Sequence, residues 1–393
     1  MSIPRPWTYS LPSALLLLAP FNILASLGMD IYLPIVPAMP ATLRTTPDVV
    51  QLTLTVYMIV LGVGQVLFGP LSDRIGRRPV LIAGTAIFAV ASFGLATTTS
   101  ATLFLSLRLL QAIGASATLV ALFATIRDVY AERPESAIVY SLMNAMLAFV
   151  PALGPIAGAV LAHAFGWQSL FVALGLPAVA MLFWALLKWH ETRPTGTGSE
   201  RCTFGPVLAS LPFWTYTLAF SAAMGTFFVF FSTAPRILMD GADFSQLGFS
   251  LSFATAALVM IATTRFAKRF VERWGIAGSM VRGMLLLLMS AGLLALGQLW
   301  AVPSFWTFMA PVWLMAVGIV LTVSVSANGA LQGFASTAGT AVALHFCVQS
   351  LITGLAGTAF VVLLDGTTAW PLAGYAACMA TITLAAYTRL KRN

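Results

Sequence analysis

The chain carries very little charge. Lys, Arg, Asp and Glu together make up 8% of its 393 residues, whereas 59% are hydrophobic. A soluble globular domain contains about 25% charged residues, so the composition excludes that class and predicts an all-α membrane protein embedded in a lipid bilayer. The formal net charge is +8. Because the basic residues are spread over short polar intervals, we interpret them as a topology signal and expect no nucleic-acid partner.

Cysteine and catalytic patterns are also scarce. The three cysteines, Cys202, Cys347 and Cys378, have no regular spacing and support neither a disulfide framework nor a metal site. No His, Asp and Glu cluster with metal-ligand spacing and no Ser or Cys triad pattern is present. We therefore expect no cofactor and no enzymatic activity. The N-terminus has Arg5 before an apolar run that is too long for a signal peptide.

Long apolar runs make up most of the sequence, and each is about long enough to cross a bilayer. They lie near residues 11–33, 49–68, 80–97, 101–125, 137–162, 167–188, 210–233, 247–264, 279–299, 304–327, 337–363 and 369–388. Two groups of six spans result, which predicts twelve transmembrane helices in two pseudo-symmetric bundles. The predicted domains are a first bundle at 1–188, a cytoplasmic linker at 189–207 and a second bundle at 208–393.

The basic residues support this count. Sixteen of them fall in the loops and ends that would share the side of both termini, against two on the opposite side, Arg44 and Arg236. The sixteen are Arg5, Arg74, Arg77, Arg78, Arg127, Arg133, Lys188, Arg193, Arg201, Arg265, Lys268, Arg269, Arg273, Arg389, Lys391 and Arg392. Short loops rich in Lys and Arg stay cytoplasmic, so we expect both termini in the cytoplasm.

The densest charges lie in GPLSDRIGRRPVL, between the second and third apolar runs. This stretch predicts a tight loop in water, with glycines for the reversal and Pro79 in the first turn of the next helix. One interpretation is a topology signal and nothing more. The pattern G-x-L-x-D-R-x-G-R-R resembles the loop between helices 2 and 3 of the major facilitator superfamily, which implies conformational gating. The candidate gating residues here are Gly69, Asp73, Arg74, Gly76, Arg77 and Arg78.

Asp128 follows helix 4, where it is near enough in topology to meet Arg77. A cluster with Asp73 would act as a conformational latch, whereas a solvated pair would contribute at most about 1 kcal/mol. Both interpretations are open.

Asp30 is the one acid of twelve that lies within an apolar run. Helix 1 has a polar stripe along one side, formed at four-residue spacing by Asn22, Ser26 and Asp30. Either Asp30 lies at a wet helix end, or it is a protonatable coupling carboxylate.

Arg108 is the only basic residue well inside a span, and it shares a helix face with Gln111 and Thr118. We expect it to point inward to a partner, for which Asp30 is the only buried acid. The alternative is a structural Arg bonded to backbone carbonyls. R-x-x-Q-x-x-G-A also resembles the helix 4 signature of the superfamily.

Three further features have both ordinary and functional interpretations. Gly154, Pro155 and Gly158 in helix 5 permit close helix packing, and in this position they resemble the antiporter signature of the superfamily. MGTFFVFFSTAP in helix 7 is packing or one wall of an apolar pocket, with candidate drug contacts at Met224, Phe227 and Phe231. His345, four residues before Gln349, is a packing residue or a functional one.

Over nearly its whole length the chain is similar to the drug–proton antiporters of the superfamily, and within them to bacterial chloramphenicol and florfenicol exporters. PFNILASLGMDIYLPIVPAMP and MGTFFVFFSTAP carry this resemblance. It implies a monomeric inner-membrane exporter of small drugs, in which Asp30 exchanges a proton for drug and Arg108 adjusts the proton affinity of Asp30. The implied substrate-binding residues are Asn22, Ser26, Asp30, Gln111, Thr118, Met224, Phe227 and Phe231. Relatives commonly have an acid at the position of Asn22, so the proton stoichiometry stays open.

Three other functions remain as alternatives. The nearest is an exporter of other compounds, such as sugars, bicyclomycin-like peptides or multidrug cations. A membrane-embedded enzyme and a non-transporting receptor belong to different classes. Drug-dependent proton release from the purified protein would separate a transporter from both.

Overall fold

The computed structural model describes residues 9–130, 133, 135–193, 204–300, 304–334 and 338–392. Arg5, Arg201 and Cys202 lie outside these residues. Within them the regular structure is helical throughout, which confirms the all-α prediction.

Six long helices occupy the first half of the chain. They are α1 (Leu11–Asp30), α2 (Pro47–Ile75), α3 (Arg77–Thr97), α4 (Ala101–Tyr130), α5 (Ser136–Phe165) and α6 (Gln168–Lys188). A 3₁₀ helix at Leu33–Ala38 and one turn at Met39–Thr42 follow α1.

Six more lie in the second half. They are α7 (Leu211–Pro235), α8 (Gln246–Thr264), α9 (Ala267–Trp300), α10 (Phe305–Ala330), α11 (Ala338–Leu363) and α12 (Trp370–Arg392). One turn at Gly205–Leu208 precedes α7, and a π-helical stretch at Arg236–Gly241 continues it.

Ten helices in the described residues are long and apolar enough to cross a membrane. α5 and α12 are outside that set, although Phe149–Phe165 within α5 is apolar. The protein is therefore a multi-span membrane protein, and the count of twelve crossings stays a prediction.

The chain divides into two compact units. The first comprises Met1–Ile35 and Met39–Arg201, and the second Val36–Ala38 and Cys202–Asn393. In the first unit α4 packs on α2 and α3, α3 on α6, and α1 on α4, α5 and α6. The corresponding helices of the second unit pair in the same way, with α10 on α8 and α9, α9 on α12, and α7 on α10, α11 and α12. The same pattern of helix pairing thus occurs in both units.

Some helices extend beyond the ends of the apolar runs, because charged residues continue the helix. α2 extends through Asp73 to Ile75, so the reversal expected over thirteen residues is confined to Gly76, whose φ is 109°. Gly69 lies inside α2 and does not contribute to the turn, so its expected role in the reversal is wrong. Pro79 is in the first turn of α3, as predicted. In α9, Gly275 has φ 69° and kinks the helix between its charged start and its apolar remainder.

Candidate functional site

Asp30 is the last residue of α1, and only 7% of its surface is exposed. It is therefore at a helix end, as one interpretation held, but that end is buried rather than wet. Its side chain is thus enclosed by the protein at the carbonyl end of α1.

Arg108 crosses from α4 to the end of α1. Its Nη1 donates to the backbone carbonyl of Gly28 at 2.9 Å and to Oε1 of Gln111 at 2.7 Å. A guanidinium is well placed at these carbonyls because they form the negative end of the α1 dipole. Among the described residues Arg108 forms no ion pair with Asp30, so the expected pairing is not found. The alternative, an Arg bonded to backbone carbonyl, describes the geometry.

Two tyrosines that the sequence analysis did not single out surround this guanidinium. Its Cζ lies 4.6 Å from the ring centre of Tyr57 and 5.0 Å from that of Tyr32. Such cation–π contacts strengthen when they are desolvated. The hydroxyl of Tyr57 donates to the carbonyl of Ala25 at 2.7 Å, so the same ring also fixes α1. Arg108 Nε and Nη2 are buried without a hydrogen-bond partner.

Gln111 connects this centre to α3. Its Oε1 accepts from Arg108 and its Nε2 donates to Ser92 Oγ at 2.8 Å. Both ends of the amide are thus used inside the protein in this structure. Gln111 therefore links α3 and α4 in this structure, and its expected contact with a substrate stays a prediction.

The remaining polar residues of the first unit differ in what they can offer a ligand. Asn22 is fully buried, and its Nδ2 donates to the carbonyl of Met143 in α5 at 3.0 Å, while its Oδ1 has no partner among the residues that the structure describes. Ser26 is half-buried. Thr118 lies 3.3 Å from the Thr85 hydroxyl and lines a cavity of about 10 Å³, which holds about one water molecule.

Gly154 and Gly158 allow α5 to contact the end of α1. A Cβ at Gly154 would lie 2.8 Å from Asp30 Cβ, and one at Gly158 would lie 2.1 Å from the carbonyl oxygen of Ile31. Both positions therefore require glycine for steric reasons. Pro155 lies between them within α5. We call this contact the glycine seam. The close packing expected of these residues is present, and it occurs against Asp30 itself.

Arg77 is the centre of a charged cluster at the ends of α2 and α4. Its Nη1 lies 2.6 Å from Asp73 and its Nε 2.7 Å from Asp128. Arg77 and Asp128 are 3% and 5% exposed, whereas Asp73 is 51% exposed. The predicted cluster is therefore found, and its Arg77–Asp128 pair is buried rather than solvated. Arg127 approaches Asp128 at 3.6 Å and Asp73 at 3.9 Å.

Arg74 and Arg78 have contacts outside this cluster. The Arg78 guanidinium donates to the carbonyl of Leu186 in the last turn of α6 at 2.8 Å. The carbonyl of Arg74 accepts from the Arg193 guanidinium. Neither interaction involves an acid, although the sequence had grouped both arginines with Asp73.

In the second unit, three aromatic residues of α7 pack against Phe253 of α8. The rings of Phe230 and Phe253 stack at 4.9 Å, and Phe227 and Phe231 both contact Phe253. Phe231 is 2% exposed, so it is a packing residue in this structure. Phe227 also lines a cavity of about 10 Å³. Met224 is half-buried.

His345 is fully buried in the second unit, which favours its interpretation as a packing residue. Its Nδ1 lies 2.9 Å from the Thr217 hydroxyl, and its ring lies 4.9 Å from that of Phe220 and 5.2 Å from that of Phe346. Gln349 donates instead to Thr353 at 3.0 Å.

Two helical units with repeated pairing and a buried polar centre define a polytopic membrane protein of the transporter type. The chain matches the family model for the Major Facilitator Superfamily over residues 18–386, and it belongs to that superfamily of transporters.

Relatives and solved structures agree with this membership. A chloramphenicol resistance protein of Pseudomonas aeruginosa is 49% identical over 96% of this chain and 90% of its own length. The multidrug resistance protein MdtL of Escherichia coli is 30% identical over 62% of each chain. The crystal structure of a D-xylose–proton symporter superposes with a TM-score of 0.77 at 14% identity, over 95% of this chain and 97% of the other, which shows the shared fold alone.

Proposed function

We propose that the protein exports phenicol antibiotics, chloramphenicol and florfenicol, across the bacterial inner membrane in exchange for protons. The observation that carries this proposal is the 49% identity, over 96% of the chain, to a chloramphenicol resistance protein. The mechanism is alternating access by a monomer with twelve transmembrane helices and both termini in the cytoplasm. The excess of basic residues in the intervals on one side supports this topology.

Asp30 exchanges a proton for drug in this proposal. Its burial at the carbonyl end of α1 favours the neutral acid, so opening of the site to water or to a ligand donor is what permits ionisation. Arg108 donates a hydrogen bond to the carbonyl of Gly28 in the last turn of α1. In this proposal, that contact adjusts the equilibrium between the neutral and the ionised form of Asp30. For one proton and a neutral drug, 100 mV supplies about 2.3 kcal/mol, equivalent to a gradient of roughly fiftyfold.

Asn22 supports selectivity for a neutral, polar drug. Its buried Oδ1 accepts no hydrogen bond from the described part of the chain, and an unsatisfied acceptor gains free energy when a ligand donates to it. The hydroxyl and amide groups of phenicols are such donors. Ser26 lies one turn further along α1 and extends the polar stripe toward Asp30. In the second unit, Met224, Phe227 and Phe231 are proposed as further substrate-binding residues, because methionine and aromatic side chains suit an apolar ligand.

The charged cluster would govern the change between conformations. Asp73, Arg77 and Asp128 join the ends of α2, α3 and α4, so they set the geometry of one end of the first unit. We expect Asp73→Asn to slow the interconversion of states without abolishing drug binding.

A broader multidrug exporter is the second candidate, favoured by the similarity to MdtL. The drugs to which the protein confers resistance distinguish a phenicol exporter from a multidrug exporter. Cells that express the protein should survive chloramphenicol and florfenicol but should gain little resistance to ethidium, because Asn22 carries no charge. Strong ethidium export without resistance to either phenicol would contradict the phenicol assignment.

Proton coupling is tested separately in inverted membrane vesicles. Chloramphenicol uptake should depend on an imposed proton gradient and should collapse with a protonophore. Asp30→Asn should abolish gradient-driven uptake while the protein stays folded, because Asn keeps the shape of the neutral acid. Glu272→Gln, a change at a residue that is 64% exposed, is the matched control and should leave uptake unchanged. Uptake by Asp30→Asn at the wild-type rate would refute the role of Asp30.

A further inference from the structure

The segment after α6 returns to the start of α3 and binds it. Glu191 Oε1 accepts from the backbone N–H of Arg77 at 2.8 Å, and its Oε2 accepts from that of Arg78 at 3.1 Å. The first N–H groups of a helix have no partner within the helix and carry partial positive charge, so a carboxylate is well placed there. Glu191 therefore caps α3 from 114 residues away in sequence.

Two reciprocal contacts reinforce this cap. The Arg78 guanidinium binds a carbonyl in the last turn of α6, and the Arg193 guanidinium binds a carbonyl in the last turn of α2. Each places a cation at the negative end of a helix. We call these two contacts, together with the Glu191 cap, the loop clamp. It joins the ends of α2, α3 and α6.

Gly76 is fitted to the clamp. Its φ of 109° lies in the region that favours glycine, and a Cβ at this position would come within 2.3 Å of Glu191 Oε2. The backbone conformation of the turn therefore requires glycine, and a larger residue would also displace the Glu191 carboxylate. This contact connects the G-R-R pattern to a residue outside the loop.

The clamp and the charged cluster share Arg77. Glu191 binds its backbone N–H, while Asp73 and Asp128 bind its guanidinium. The hydrogen bond from Glu191 fixes the position of the Arg77 backbone. It therefore determines whether the Arg77 guanidinium reaches both Asp73 and Asp128.

From this geometry we propose that Glu191 is a positioning residue for the charged cluster, and that residues 189–193 act as part of the first unit. Trp189, which is 1% exposed and packs edge-on against Phe21 at 5.4 Å, supports the second statement. In terms of the proposed transport cycle, on which this inference rests, Glu191 sets the rate of conformational change and not the affinity for drug.

The test uses Glu191→Gln in the full-length protein, with Glu272→Gln as the matched control. Glu191→Gln removes the charge and turns an NH₂ group toward backbone donors. We expect the maximal rate of chloramphenicol uptake to fall about tenfold, equivalent to about 1.4 kcal/mol in the barrier, with the drug Kd within about twofold of wild type. Glu191→Asp, with the same charge but a shorter side chain, should recover part of the rate.

A double-variant cycle distinguishes positioning from general destabilisation. If Glu191 acts through Arg77, then adding Glu191→Gln to Asp73→Asn should lower the rate by less than the product of the two single effects. Effects that multiply, a drug Kd that rises in proportion to the loss of rate, or a Glu191→Gln rate equal to wild type would each overturn the proposal.

Hydrogen exchange separates this inference from the proposed function. Glu191→Gln should speed amide exchange at Arg77 and Arg78 in the purified protein, with no drug present, while exchange in the second unit stays unchanged. If this result is obtained and wild type takes up no chloramphenicol, the transport proposal fails and the clamp stands. If wild type transports the drug but exchange at these amides is unchanged in the variant, the clamp inference fails alone.

Discussion

The buried half of the charged cluster should matter more for stability than its exposed half. Asp128 is 5% exposed and lies 2.7 Å from Arg77 Nε, whereas Asp73 is 51% exposed. Removing one partner of a buried ion pair costs about 3–5 kcal/mol, whereas an exposed pair contributes about 0–1 kcal/mol. Asn at position 128 keeps one acceptor oxygen, so we place Asp128→Asn near the lower value, about 3 kcal/mol.

Thermal unfolding of the detergent-purified protein is the assay. For a unit of this size 1 kcal/mol corresponds to about 2–4 °C, so Asp128→Asn should lower the apparent Tm by about 6–12 °C and Asp73→Asn by at most about 4 °C. Glu272→Gln, whose carboxylate lies 3.8 Å from an exposed lysine, should match wild type. Equal Tm losses for the two aspartate variants would refute the reasoning, because they would show that burial does not set the strength of the pair.

The remaining predictions concern the first unit. Arg108→Ala should reduce chloramphenicol uptake more than Arg108→Lys, and Lys should not restore wild-type uptake because an ammonium cannot reproduce the packing of the planar guanidinium against the rings of Tyr32 and Tyr57; equal uptake by Lys and wild type would contradict this. Gly158→Ala should destabilise the protein by about 1–3 kcal/mol in thermal unfolding, because its Cβ meets backbone, whereas Gly69→Ala, with nothing within 4 Å, should be neutral or stabilising by up to about 1 kcal/mol. The reverse order would contradict the packing described. Asn22→Asp should add ethidium resistance or a second titrating group, measured by survival and by proton release; neither change would show that this position does not select charge.

Contacts between neighbours on one helix could be predicted from the sequence. Arg108 and Gln111 are three residues apart on α4, so helical geometry alone brings them together. Asp73 and Arg77 lie on either side of the reversal at Gly76, so their contact follows from their closeness in sequence at the turn. The cap on α3 could not be predicted in this way, since no local pattern relates Glu191 to an amide 114 residues earlier. The only signal was an acid placed directly after an apolar run.

The expectations for Arg108 and Gly69 differ from the structure, each for a physical reason. Arg108 was expected to need an acid, but the carbonyl end of a helix is also an adequate partner for a buried cation. Asp30 was expected as the partner of Arg108 because no other acid lies within an apolar run. That reasoning compared side chains only and left out backbone carbonyls. Gly69 was assigned to the turn because glycine is common in turns, yet α2 continues through it and one residue, Gly76, makes the reversal.

The glycine seam has a consequence for energy conservation. At Gly158 the helices α1 and α5 approach so closely that even a methyl group would overlap the Ile31 carbonyl, and a water molecule occupies about 30 Å³. In the proton exchange proposed for Asp30, water molecules would therefore have to reach its carboxylate from sides other than the seam. On that proposal, a substitution that widened the seam would open a second approach for protons and weaken their coupling to the drug.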